Sequence, residues 1–168
     1  MPITYEPIAT NTLGSAAATV TFSTISGAYT DLVLVTNLKT TTTSQEVTVK
    51  INNDTGSNYS LTNLRGDGST AASLRRSSQT VGNISKEISP NTAFEFVSVS
   101  TFMNYSNATT YKTWLSRNNR ASASNAPGTE ALVGLWRSTS AITELVIGIT
   151  GGNFDTGSTF TLYGIKSA

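Results

Sequence analysis

Apolar residues recur at every second position through most of this chain, and no segment keeps an apolar stripe at the helical period over three turns. That pattern restricts the fold to sheets with one buried face, so an all-β protein is predicted. From Thr19 to Ile25, Val20, Phe22 and Ile25 face a core while Thr19, Thr21 and Ser23 face out. Val47, Val49 and Ile51 point inward in the same way, and Thr48 and Lys50 outward. The uninterrupted run Leu32-Val33-Leu34-Val35 suits a central strand covered on both faces. Further strands are read at 94–103, 111–116, 131–137, 142–149 and 159–166, with a bulge where Phe94/Phe96 gives way to Val97/Val99. Eight to ten strands separated by turn residues predict an antiparallel two-sheet β-sandwich, jelly-roll-like, with a closed barrel as the alternative.

The 168 residues suffice for one core, and a single domain over 16–168 is predicted. Residues 1–15 mix polar and apolar types with Pro2 and Pro7, and read as an N-terminal arm free to lie on a neighbour. Between about 54 and 91 the alternation fades into Gly, Ser, Asn and Arg, the signature of a long loop insertion.

The chain contains no histidine and no cysteine, which removes the Ser/His/Asp relay, the thiolate nucleophile, disulfides and soft metal ligands. Only 12% of residues are charged, and the net charge of +1 gives no basic footprint for nucleic acid. Arg65, Arg75, Arg76, Arg117 and Arg120 read as solvated loop arginines. No apolar run is long enough to span a membrane as a helix, and the N-terminus lacks the pattern of a secretory signal, so synthesis in a host cytoplasm is expected. Thr and Ser supply roughly three residues in ten. The balance favours a scaffold that holds or adheres over one that reacts: no enzyme activity, cofactor or metal is expected.

Several motifs need weighing against that reading. Asp54-Thr55-Gly56-Ser57 and Asp155-Thr156-Gly157-Ser158 repeat the turn that presents the paired carboxylates of aspartic proteases. A chain this short does not accommodate two such lobes, and Asp-Thr-Gly is itself a good type I turn. Arg65-Gly66-Asp67 matches an integrin-read tripeptide, again built from turn residues. Asn52, Asn53, Asp54 and Asp155 would make a Ca²⁺ cage only if they converged. Tyr59, Tyr105, Tyr111, Trp114 and Trp136 are the aromatic candidates for stacking on a sugar. Trp114 and Tyr111 fall on strands where core packing is the default, whereas Tyr59 and Tyr105, in Asn-rich turns, are the better candidates for exposed contact with a glycan.

Three stretches, 22–34 (Phe22-Ser23-Thr24-Ile25 to Leu34), 52–60 (Asn52-Asn53-Asp54-Thr55-Gly56 to Ser60) and 157–166 (Gly157-Ser158-Thr159-Phe160 to Lys166), resemble small β-sandwich virion proteins of tailed bacteriophages. The resemblance spans nearly the whole chain and speaks for architecture more than for a site. It implies a head decoration (cement) protein, often trimeric, or a tail or fibre adhesion module. The expectation is therefore a non-enzymatic capsid decoration protein on the phage particle surface. It would assemble as a homotrimer and bind the major capsid protein through Ile3, Tyr5 and Ile8 of the arm. The alternative is an adhesin that binds host surface carbohydrate through Tyr59 and Tyr105.

Overall fold

The computed structural model describes residues 4–43, 45–121 and 128–166. Twelve strands build two antiparallel sheets: β1 (Tyr5–Thr12), β2 (Thr19–Phe22), β3 (Asp31–Leu38), β4 (Val47–Ile51), β5 (Tyr59–Gly66), β6 (Ala71–Gln79), β7 (Gly82–Asn83), β8 (Phe96–Met103), β9 (Lys112–Arg120), β10 (Gly128–Trp136), β11 (Leu145–Ile149) and β12 (Thr159–Ile165). The larger sheet has the order β1-β12-β3-β8-β9-β10-β5-β6, and the smaller β2-β11-β4-β7. The predicted β-sandwich is the observed architecture.

Alternation decides which face each strand buries. Val47, Val49 and Ile51 are fully buried from the small sheet, and Phe96, Phe102 and Trp114 meet them from the large one. Phe102 stacks on Trp114 with ring centroids 5.8 Å apart, and Phe154 meets Phe160 edge-on at 5.0 Å. The interior also holds a polar layer. Ser98, Ser100 and Ser116 are buried, and the last two share a hydrogen bond of 2.7 Å.

Several expectations are corrected. Residues 5–12 are not a free arm, because β1 pairs with β12 from Tyr5↔Ile165 to Thr12↔Thr159. A bulge between Pro7 and Ala9 lets the strand carry a proline at the sheet edge, where no ladder donor is required. The stretch 54–91 is not one long loop: β5 and β6 form a hairpin there, continuing the large sheet beyond β10. Its alternation is faint because β6 lies at the sheet edge, largely exposed on both faces. No bulge interrupts β8, which simply begins at Phe96.

Candidate functional site

Chemistry would have to come from convergent polar groups, and the sequence nominated two aspartates. They stand at opposite ends of the small sheet. Ile51 pairs with Leu145 and Val47 with Ile149, so Asp54, just past Ile51, and Asp155, beyond Ile149, leave the antiparallel pair β4–β11 in opposite directions. Neither a shared proton nor a common ion connects them. Each aspartate instead closes its own turn. Asp54 accepts from the Gly56 N–H at 2.8 Å, Asn58 Nδ2 at 2.9 Å and Trp136 Nε1 at 2.6 Å. Partial burial pushes its carboxyl up, but these three donors outweigh that and hold it below the ordinary carboxylate value. The Asp155 carboxylate accepts from the Thr156 N–H at 2.8 Å.

Asn52 and Asn53 adopt left-handed backbone, with φ of 51° and 55°. Their side chains serve the neighbouring segment rather than an ion: Asn52 Oδ1 accepts from the Thr143 and Glu144 N–H groups at 2.9 and 3.0 Å, and Asn53 Nδ2 donates to Glu144 at 2.5 Å. No cluster of three acidic metal-ligating groups exists among the described residues. Arg65-Gly66-Asp67 does sit at the exposed β5–β6 hairpin tip. There Asp67 Oδ1 caps the turn, accepting from the Ser69 and Thr70 N–H groups at 3.0 and 2.7 Å, while Arg65 lies 3.5 Å from Glu87.

The proposed glycan contacts are corrected: Tyr59 and Tyr105 are both fully buried. Each hydroxyl is satisfied inside the fold, which is what makes burial of a tyrosine tolerable. Tyr59 Oη accepts from the Ile51 N–H at 3.0 Å and donates to the Asp54 carbonyl at 3.2 Å, while Tyr105 Oη donates to the Ser26 carbonyl. Burial pushes the Tyr59 phenol up to about 12, with the Ile51 N–H opposing and the nearby Asp54 charge adding to it. Tyr111, expected in the core, is exposed, whereas Trp114 and Trp136 are buried. Of the nominated partner contacts, Ile3 lies outside the described residues, Tyr5 is 58% exposed, and Ile8 packs against the core. Ile8 is partly buried there, at the bulge of the β1–β12 pairing.

Two surfaces stand out in place of those residues. The small sheet covers only one side of the large one. On the other side, the register aligns Val133, Leu115, Thr101, Val33 and Tyr163 in one row across β10, β9, β8, β3 and β12. A neighbouring row carries Leu64, Ala131, Arg117, Val99 and Val35. Leu64, Val133, Met103 and Leu115 are 62, 50, 47 and 38% exposed. Among the strand residues that alternation puts on this face, only Asp31, Arg75 and Arg117 are charged. Strands of this length at the usual spacing give the face an area on the order of 900 Å². The second surface is a groove of about 520 Å³ on the outside of the small sheet. Comparison with protein-family models, curated proteins and solved structures returns no match for this chain.

Proposed function

We propose that this chain is a non-enzymatic structural protein of a bacteriophage virion, a capsid decoration protein that packs against the major capsid lattice and against copies of itself as a homotrimer. The uncovered face of the large sheet is the observation that carries the reading. Its exposed Leu64, Val133, Leu115 and Met103, spread over neighbouring rows with few charges, are what a buried contact needs. Its extent matches the roughly 800 Å² per partner of a specific interface.

Strand order adds support. Without the β5–β6 and β9–β10 pairs, the sheets reduce to β1-β12-β3-β8 and β2-β11-β4-β7. That order supports a jelly-roll reading, an architecture shared by viral capsid and lectin domains. Fold analogy of that kind supports a virion role. A closed trimer follows if this face meets a different surface of the next copy, a heterologous contact that closes on itself. The scarcity of charge keeps densely packed identical copies from repelling one another. The adhesin alternative loses Tyr59 and Tyr105 as ligand contacts, since neither ring reaches solvent.

The test is to locate the protein in the particle. Reconstruction by cryo-electron microscopy, or immunogold labelling, is expected to place it over the head lattice. Labelling confined to the tail tip would contradict the assignment.

A further inference from the structure

The groove on the small sheet lies on the opposite side of the sandwich from the assembly face, and its chemistry is different. Thr19, Thr48 and Lys50 project into it from β2 and β4, and Val146 and Gly148 of β11 run between those strands. Gly148 keeps the floor low: a Cβ there would stand 3.0 Å from Thr48 Oγ1. Thr55 and Thr80 complete the wall, with Val81 and Ile149 adding apolar surface. At about 520 Å³ the groove is in the size range of small-ligand sites.

Two features narrow what would fit. The lining Thr150 already uses its hydroxyl, accepting from the Glu46 N–H and donating to Gln45, but Thr19, Thr48, Thr55 and Thr80 make no side-chain hydrogen bond with any other described residue. Lys50 is the one charged group in the lining, and no described acid pairs with it. An apolar floor ringed by free hydroxyls suits an amphipathic ring with one C–H face and several hydroxyls. A lone cation at its side suits a carboxylate on the sugar.

We propose that this groove binds a short saccharide bearing a carboxylate. The C–H face of the sugar lies on Val146 and Val81, its hydroxyls meet Thr19, Thr48 and Thr80, and its carboxylate meets Lys50 Nζ. The inference does not depend on the assembly reading, because the large sheet's outer face takes no part in it.

Titration of the full-length protein with trigalacturonate, followed by calorimetry or ligand-observed NMR, tests it against the neutral trisaccharide maltotriose. Trigalacturonate is expected to bind about tenfold more tightly or better, and Lys50→Gln to remove that preference. Thr48→Val, which keeps the side-chain shape, is expected to weaken binding of both sugars. Melting temperatures of both variants should equal that of the parent, since Lys50 and Thr48 face solvent on the sheet exterior. Absence of trigalacturonate binding at 10 mM, on the order of the weakest specific affinities, would overturn the proposal. So would equal binding of the two sugars, or binding that Lys50→Gln leaves unchanged.

Discussion

The indole of Trp114 occupies the space in which a side chain on Gly134, its cross-strand partner, would stand. A Cβ on Gly134 would overlap the Cε2 and Cζ2 atoms of the ring, and Gly82 approaches the same indole from the small sheet. The fully buried Trp114 donates from Nε1 to the Asn83 carbonyl at 2.9 Å, so the ring has no free direction in which to yield. Gly134→Ala is therefore expected to cost about 3 kcal/mol or more in chemical unfolding, at the upper end of overpacking effects. Gly66→Ala is the control, since a Cβ there meets nothing within 4 Å. A neutral Gly134→Ala would mean that the indole is not wedged between the sheets as described.

Glu130 is a buried carboxylate that makes no ion pair among the described residues. Asn63 Nδ2 and Asn118 Nδ2 donate to it at 2.5 and 3.0 Å, and the Lys86 and Glu87 N–H groups reach it at 3.1 and 3.0 Å. It thus pins the segment after β7 onto β10. Glu130→Gln replaces an acceptor by an amide that faces these donors, and is expected to cost about 2 kcal/mol. Denaturant unfolding would measure it. A change within error would show that the network contributes nothing net.

Removing residues 2–12 takes away a strand rather than a tether. Deletion strips β1 from β12 and leaves β12 as an open edge beside Phe160 and Leu162. The truncated chain is expected to lose about 3 kcal/mol or more of stability and to aggregate on heating. Calorimetry of the truncated form decides, and an unchanged melting temperature would restore the picture of a dispensable arm.

Alkaline stability should follow Tyr59. Burial disfavours the phenolate and pushes its folded phenol up to about 12, whereas an unfolded tyrosine ionises near pH ~10. The stability it contributes is complete below pH ~10 and is lost as the pH rises toward the folded value. Burial likewise raises Tyr105. Absorbance titration at phenolate wavelengths should show a late-ionising tyrosine, absent in Tyr59→Phe. Complete titration near pH ~10 with the fold intact would contradict the burial.

The parts of the fold that were legible in the sequence are those in which alternation meets a one-sided core: Val47, Val49 and Ile51, or Val20 and Phe22, face the interior as their spacing requires. β1 and β6 were missed for a shared reason. Both are sheet edges, where backbone pairing alone makes the strand and side chains need not alternate. Tyr59 and Tyr105 misled because an Asn-rich turn suggests exposure, while backbone groups distant in sequence, such as Ser26 for Tyr105, satisfy their hydroxyls inside. The apolar outer face was visible only in part. Val33 and Val35 announce it within β3, but Leu115, Val133 and Leu64 join it only through strand register. The groove required register too, because nothing local in the sequence brings Thr19, Thr48 and Gly148 side by side.

Sedimentation equilibrium at tens of micromolar tests the assembly claim most directly, comparing the parent chain with a Leu115→Glu/Val133→Glu double variant. These adjacent residues lie at the middle of the exposed face and 38 and 50% open to solvent, so charging them leaves the core untouched. The parent is expected to sediment with three times the 17.7 kDa chain mass, and the variant as a monomer with an unchanged melting temperature. A parent that remains monomeric, or a variant that assembles as well as the parent, would contradict the account.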